Sequence, residues 1–284
     1  MPFSSNIDIY NIFFKIIENK YLIVNLFDYD SNKLNNNYKK ILFLTEPIKN
    51  YQIINENGGL NHSMVYNDFI SNKFDIIVGC INHDIYNKKF KFPLYLFENN
   101  FNINDISIFN NYNYSNTNIL NKNFCCLINS WDPNNTRTNI YNKLKTLGNI
   151  DCPGKLFNNS STERLNQIGK INYIKNFKFN ICSENFDTNN IDGYITEKLM
   201  DACRGGSIPI YSGWFDDIDE KIFNKNRILF YNSNDLNSIE IIFNKIKYLL
   251  ENNDKLIEFY NQPIFCENAY SIVTMLKNDF FNNC

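Results

Sequence analysis

Short apolar runs rich in β-branched and aromatic residues alternate along the chain with segments whose apolar residues recur at helical spacing. This alternation is typical of parallel α/β units, in which a helix follows each strand and crosses back over the sheet. In the first half of the chain the pattern predicts four extended segments, at residues 21–27, 40–44, 75–79 and 91–97.

The second half repeats the pattern with longer helical segments. It predicts strands at residues 124–129, 177–183, 207–211 and 227–231. It predicts helices at 136–147 with Gly148 as the C′ residue, at 162–175 capped by Ser161 or Thr162, at 196–203 before Gly205-Gly206, and from 236–252 into the tail. The polar segment 99–123 lacks periodicity and is interpreted as a connection between domains.

Two α/β series joined by a polar segment predict two Rossmann-like domains that face a cleft. We assign residues 1–118 to an N-terminal domain and residues 119–284 to a C-terminal domain. The last helices of the second domain could pack back against the first. In open α/β sheets ligands bind beyond the carboxyl ends of the strands, so we expect the chemistry in the loops that follow strands.

Composition narrows the class of protein. With 284 residues, 44% hydrophobic and 20% charged, the chain is typical of a globular protein with a large core. The formal charge of −2 gives no broad basic surface for nucleic acid. No apolar run approaches the roughly 20 residues of a spanning helix, and the N-terminus lacks a signal-peptide pattern. We therefore expect a soluble, cytoplasmic protein without a transmembrane anchor; its oligomeric state stays open.

Cysteine and histidine content further limits the chemistry. The eight cysteines form no C-x-x-C pair, and several lie in apolar runs, which favours buried free thiols in a reducing compartment. A disulfide set or a zinc site stays open as an alternative. The two histidines, His62 and His83, lie in loop-like segments, so neither a histidine base nor a histidine-rich metal site is supported.

The most informative segment is 177–214, a strand, a loop and the start of a helix. The first N–H groups of a helix have no intrahelical partner, so such a start is a natural site for an anion. Thr196 or Asp192 could cap this helix, Lys198 adds a positive charge, and Glu197 could accept hydrogen bonds from sugar or ribose hydroxyls. A diphosphate joined to a polyol describes a nucleotide sugar.

The same segment resembles the signature of the α1,3/1,4-fucosyltransferase family, which runs F-K-F-x-x-x-x-E-N, a variable loop, Y-[VI]-T-E-K-x-x-D-A, and x-[IV]-P-[IV]-Y-x-G. The matching residues are Phe177, Lys178, Phe179, Glu184, Asn185, Tyr194, Ile195, Thr196, Glu197, Lys198, Asp201, Ala202, Pro209, Ile210, Tyr211 and Gly213. Flanking segments agree, and the resemblance extends over about residues 40–231. The flanking segments that resemble the family are 132–144 with Arg137, 150–159 with Lys155 in a Cys-Pro-Gly turn, 90–97, and 40–47 with Glu46. In the last of these, Thr45 stands where the family has glycine.

The resemblance implies a GT-B architecture, in which the N-terminal domain (1–118) binds the acceptor and the C-terminal domain (119–284) binds the nucleotide sugar. It also implies an inverting transfer of L-fucose from GDP-β-L-fucose. The acceptor would be a hydroxyl, expected to be O3, of an N-acetylglucosamine or glucose unit in a glycan. Glu46 would be the base, and Arg137 and Lys198 would stabilise the departing diphosphate in place of a metal, so no cofactor is expected. The implied donor-binding residues are Asn185, Tyr194, Ile195, Glu197, Lys198, Arg137 and Lys155.

Several alternatives stay open. The physical argument alone does not separate GDP-fucose from another nucleotide sugar, and an inactive glycan-binding relative or a structural surface protein would carry the same fold. The joint presence of Glu46, Arg137, Glu197 and Lys198 favours an enzyme. An NAD-dependent enzyme would need a G-x-G-x-x-G motif, which the chain lacks. Glu184 could steady its loop or serve as a second carboxylate. The residues interpreted as structural are Asp201, Pro209 and Tyr211.

Overall fold

The described residues form two five-stranded sheets, and helices pack against the second of them. They are seen in a computed structural model, which describes residues 15–17, 21–25, 34–44, 73–79, 91–96, 106, 110, 119–132, 134–161, 165–185 and 194–283. The predicted α/β class is confirmed.

The first sheet has the strand order β1-β2-β3-β4-β5, with β1 antiparallel to β2 and every other pair parallel. Its strands are β1 (Lys15–Ile17), β2 (Tyr21–Asn25), β3 (Lys39–Leu44), β4 (Ile76–Gly79) and β5 (Lys91–Phe92). The predicted extended segment over 91–97 is wrong at residues 93–96, because Pro93 has no N–H to donate to a neighbouring strand, and residue 97 lies outside the described residues. The chain turns there into a 3-10 helix, Leu94–Leu96.

The second sheet is parallel throughout, in the order β10-β9-β8-β6-β7. Its strands are β6 (Asn123–Leu127), β7 (Ile150–Asp151), β8 (Phe177–Ile181), β9 (Ile208–Tyr211) and β10 (Leu229–Phe230). The chain passes from β6 to β7 on one side of β6 and then returns to β8 on the other side. This reversal makes a crevice at the carboxyl ends of β6 and β8, which is the usual ligand position in such sheets.

Seven α-helices have bounds that the structure defines: α1 (Thr136–Leu144), α2 (Gln167–Ile174), α3 (Glu197–Arg204), α4 (Asp219–Ile222), α5 (Leu236–Glu251), α6 (Asn253–Tyr260) and α7 (Ala269–Asn283). Two predicted helix ends are wrong. Helix α1 stops at Leu144, with Lys145 as C-cap, and Gly148 instead packs closely against the ring of Phe124. Helix α2 starts at Gln167, because the Asn166 side chain accepts the Gly169 N–H and caps it there.

Residues of the first half pack directly on the second half. The Tyr95 hydroxyl donates to Asp219 Oδ1 at 2.8 Å, and the Tyr95 ring lies 5.1 Å from that of Phe223, centroid to centroid. The Asn110 side chain bonds both the N–H and the C=O of Phe265, in the segment between α6 and α7. One buried apolar cluster includes Ile41 and residues of the second sheet.

The prediction of buried free thiols is confirmed for five of the six cysteines that the structure describes. All six are free, and Cys266 alone among these six is partly exposed, while Cys125, Cys126, Cys152, Cys182 and Cys203 are buried. Burial raises the pKa of the Cys203 thiol to about 12, which keeps it protonated at neutral pH. Within the described ranges, no helix combines the length and the apolar character that crossing a bilayer requires.

Candidate functional site

A cavity of about 970 Å³ opens beyond the carboxyl ends of β6, β7 and β8, at the crevice where the strand order reverses. Helices α2 and α3 close its sides. We call it the strand-end cavity. Its lining residues are Ile128, Asn129, Ser130, Trp131, Pro153, Gly154, Lys155, Asn158, Leu165, Lys170, Ile174, Asn180, Ile181, Cys182, Asn185, Glu197, Lys198 and Asp201.

The turn after β7 forms the lip of the cavity by passing very close to the loop after β6. The Leu156 N–H donates to the Asn129 carbonyl at 3.0 Å. A Cβ atom on Gly154 would lie 2.1 Å from that same oxygen, so only glycine permits this approach. The close packing places Lys155, which is exposed to solvent, at the entrance of the cavity.

A buried carboxylate joins the end of β8 to the start of α3. Glu184 is 1% exposed and accepts hydrogen bonds from the Thr196 N–H at 2.8 Å and the Thr196 hydroxyl at 2.7 Å. Thr196 is the N-cap residue, as predicted, but its hydroxyl makes no capping bond to the helix. Glu184 also accepts bonds from Lys198 Nζ at 3.3 Å and the Tyr211 hydroxyl at 3.0 Å.

The first turn of α3 presents a cation between two carboxylates. Lys198 Nζ lies 3.5 Å from Glu197 Oε1 and donates to the Thr196 hydroxyl at 2.9 Å. Burial alone would raise the pKa of Glu197, but the charges of Lys198 and Lys170 outweigh it and hold that pKa below its ordinary value. Glu197 is therefore an ionised acceptor at neutral pH, suited to hydroxyl donors.

Arg137 lies behind the cavity and is fully buried. Its guanidinium donates to the Trp131 carbonyl at 2.7 Å, the Ser183 carbonyl at 2.6 Å and Asn185 Oδ1 at 2.9 Å. The bond to Oδ1 fixes the amide of Asn185, so that its nitrogen is the end that can donate elsewhere. Arg137 and Lys198 thus bind neighbouring residues, Ser183 and Glu184, at the end of β8.

The structure brings together four of the eight residues that the sequence predicts for the site. Asn185, Glu197, Lys198 and Lys155 line the strand-end cavity. Arg137, Tyr194 and Ile195 are buried outside its lining, with Tyr194 paired by its backbone to Trp214. Glu46 lies outside the described residues. The structure tests none of the predicted roles, which stay predictions.

Among the lining residues that the sequence reasoning missed, three have aromatic or charged side chains. Trp131, 53% exposed, forms part of the cavity mouth, and Lys170 contributes a third lysine from α2. Asp201 was interpreted as structural but also lines the cavity. Its spacing of four residues from Glu197 on a helix could have shown that both carboxylates share one face of α3. Three lysines thus face two carboxylates, which gives the lining a formal charge of +1.

Among the residues that the structure describes, no three His, Cys, Asp or Glu side chains are grouped so as to hold a metal ion. Asp216 and Asp217, the acidic pair nearest to the signature, do not form an open acidic pair. Asp216 is largely buried, and its Oδ1 accepts the N–H groups of Ile218 and Asp219 at the start of α4. Asp216 therefore supports the start of α4 and is not an exposed carboxylate.

The two mostly parallel five-stranded sheets, the second with a ligand-sized cavity at its strand ends, match the GT-B class of fold. Residues 119–276, more than half of the chain, match the family described as Glycosyltransferase family 10 (fucosyltransferase) C-term. The chain belongs to this family. The match includes every described residue that lines the strand-end cavity.

Individual relatives support the same assignment at modest identity. The alpha-(1,3)-fucosyltransferase FucT of Helicobacter pylori is 30% identical over 129 residues, which is 45% of this chain and 25% of that protein. The 4-galactosyl-N-acetylglucosaminide 3-alpha-L-fucosyltransferase 9 of Mus musculus is 28% identical over 137 residues, 48% of this chain and 36% of that protein. The matches thus span only a quarter to about a third of these relatives.

Solved structures establish the fold. A crystal structure of an alpha1,3-fucosyltransferase has a TM-score of 0.61 at 18% identity, covering 92% of this chain and 78% of that one. A crystal structure of alpha1,3-fucosyltransferase with GDP-fucose gives 0.58 at 19%, covering 90% and 77%. A trehalose-6-phosphate synthase, described as transferring with retention, gives 0.51 at 8% identity, covering 92% and 74%. The fold alone therefore does not decide stereochemistry.

Proposed function

We propose that this protein transfers L-fucose from GDP-β-L-fucose to a hydroxyl, at O3, of an N-acetylglucosamine or glucose unit in a glycan, with inversion at the anomeric carbon. One observation supports the proposal above all. The signature residues Asn185, Glu197 and Lys198 line a single cavity of about 970 Å³, a volume within the range of small-molecule sites. Family membership and the GDP-fucose bound in a structure of the same fold point to the same donor.

The reaction is a single displacement. The acceptor oxygen attacks the anomeric carbon, the bond from that carbon to the β-phosphate oxygen breaks, and GDP leaves. The acceptor proton passes to a base, for which we propose Glu46 on the strength of the family resemblance. A base on one face and stabilisation of the departing diphosphate on the other are what such a displacement needs.

Different residues of the cavity can bind different parts of the donor. Lys198 would contact the diphosphate, with Lys155 at the entrance as a second point charge. Glu197, kept ionised by its two lysine neighbours, would accept hydrogen bonds from ribose or fucose hydroxyls. Asn185 would donate from its amide nitrogen, since Arg137 holds the amide oxygen. Arg137 would stabilise the bound diphosphate indirectly, by orienting Asn185. A direct contact would require the guanidinium to turn from the Trp131 and Ser183 carbonyls toward the donor.

A transfer assay tests the proposal. The purified protein is incubated with GDP-fucose and lactose, N-acetyllactosamine or a chitobiose core, and the linkage of each product is determined. We expect an α-linked fucoside at O3 of glucose or N-acetylglucosamine. Transfer from UDP- or ADP-sugars in place of GDP-fucose would show a different donor. Binding of glycans without any transfer would favour an inactive relative.

Tryptophan fluorescence is expected to report GDP binding, because one of the two tryptophans lines the strand-end cavity and the other does not. Titration with GDP should give a saturable change in emission that Trp131→Phe removes. Trp214→Phe is the matched control, since Trp214 is comparably exposed at 40% but lies outside the lining, and it should retain the change. A saturable signal lost only in Trp214→Phe would place the nucleotide elsewhere.

Metal dependence is the third point to test. The proposed lysines can neutralise the leaving diphosphate without a divalent ion, so we expect transfer to proceed at full rate in EDTA. The assay compares initial rates of fucose transfer in EDTA, in Mg²⁺ and in Mn²⁺. Loss of transfer in EDTA, restored by Mn²⁺, would overturn this part of the proposal.

A further inference from the structure

We infer that Glu184 is a positioning residue of the transfer reaction, acting through the ammonium group of Lys198 rather than on the substrate itself. The inference rests on the function proposed above. Glu184 does not line the strand-end cavity, and its side chain is shielded from solvent. It is therefore not placed to take a proton from an acceptor or to touch the donor.

The two oxygens of this carboxylate have separate tasks. Oε1 accepts the Thr196 N–H and the Tyr211 hydroxyl, which ties the start of α3 to β9. Oε2 accepts the Thr196 hydroxyl and Lys198 Nζ. Thr196 in turn accepts from the same ammonium through its own hydroxyl oxygen at 2.9 Å. Two oxygens that accept from the Lys198 ammonium thus depend on Glu184: its own Oε2, and the Thr196 hydroxyl oxygen that Oε2 holds in place.

A lysine has a flexible four-carbon stem, so its charge does not stay in one place without such partners. Lys198 is 15% exposed, and Glu184 is its fully buried ionic partner, whereas Glu197 is itself partly exposed. Preorganised charge is what makes a group effective at stabilising a transition state. Glu184 therefore fixes the ammonium at the wall of the cavity, where the leaving diphosphate would develop its charge.

The substitution Glu184→Gln separates the two tasks. A glutamine amide can keep its oxygen at the Oε1 position, so the Thr196 N–H and the Tyr211 hydroxyl retain their acceptor. Its NH₂ group then replaces Oε2, where it can donate to the Thr196 hydroxyl oxygen but meets the Lys198 ammonium as a donor facing a donor. The start of α3 stays anchored, while the ion pair that positions Lys198 is lost.

A double-mutant cycle on fucose transfer tests the inference. In the wild-type background, Glu184→Gln is expected to lower kcat roughly 10- to 100-fold, as for coupled residues of one ion-pair network. In a Lys198→Met background, the same change should lower kcat less than about threefold, because the group through which Glu184 acts is gone. Additive losses in the two backgrounds would mean that Glu184 acts on the fold alone, and would overturn the inference.

Tyr211→Phe is the matched control, because it removes a bond to Oε1 and leaves the Lys198 side intact. We expect its kcat to stay within about threefold of the wild type, and thermal unfolding should show that every variant is folded. A Tyr211→Phe loss as large as that of Glu184→Gln would count against the inference. If the wild-type protein transfers no fucose, the proposed function fails first. If it does and the cycle is additive, the inference alone fails.

Discussion

Replacing Arg137 with alanine is expected to lower the free energy of unfolding by about 3–5 kcal/mol, the cost of breaking a buried charged network. Arg137 has no exposed surface, and its guanidinium supplies donors to the Trp131 carbonyl, the Ser183 carbonyl and Asn185. Alanine would leave these acceptors without that donor and open a void at the end of β8. Urea denaturation measures the change, and a shifted midpoint with an unchanged slope would assign it to stability.

The control for this prediction lies on the same helix. Lys143 makes an ion pair with Glu240 in which both side chains are more than a third exposed, so Lys143→Ala should cost less than about 1 kcal/mol. Arg137→Lys should fall between the two, because one ammonium group cannot reproduce the fork of a guanidinium. An Arg137→Ala protein as stable as Lys143→Ala would contradict the buried network.

This prediction also governs how activity data on Arg137 are interpreted. Loss of transfer in Arg137→Ala would have two causes, a weakened fold and a missing cation. Only the activity per folded molecule would measure the effect of the missing cation. Arg137→Lys keeps the charge, so its activity should be compared at a temperature where both proteins are fully folded. Arg137 therefore contributes to the buried core as well as to the proposed site.

The sequence predicts the second sheet well because its strands are short, apolar and separated by helices with clear periodicity. Strands β6, β8 and β9 fall within two residues of the predicted ends. Strand β7, with two residues, carries no periodic signal and was missed. Helix ends were less well predicted, since the side chain of Asn166 sets the start of α2 and nothing in the apolar pattern marks it.

The site was predicted where local sequence decides which way a side chain points. Glu197 and Lys198 begin a helix directly after a loop, and both line the cavity. Tyr194 and Arg137 could not be placed in this way, because their burial depends on β-bridge and carbonyl partners far away in sequence. Lys170 was missed because α2 carries no recognisable motif, and only packing brings it beside Glu197.

Removing the charge of Lys198 is expected to have the largest effect on turnover of any change within the described cavity. Lys198→Met keeps most of the stem and should lower kcat on the order of a hundredfold, about 3 kcal/mol of transition-state stabilisation. The fold should survive, because Glu184 keeps three other hydrogen bonds, two from Thr196 and one from Tyr211. We expect a loss of about 1–3 kcal/mol in unfolding free energy.

Lys155→Met provides the comparison, since Lys155 lines the same cavity but is exposed to solvent, where screening weakens its attraction for an anion. Its loss of kcat should be less than about tenfold. Steady-state transfer kinetics on both variants, with KM for GDP-fucose measured separately, would distinguish the two positions. If Lys198→Met transferred fucose with kcat within about threefold of the wild type, the leaving diphosphate would have to be stabilised elsewhere. Arg137 would then have to turn out of its buried network toward the donor.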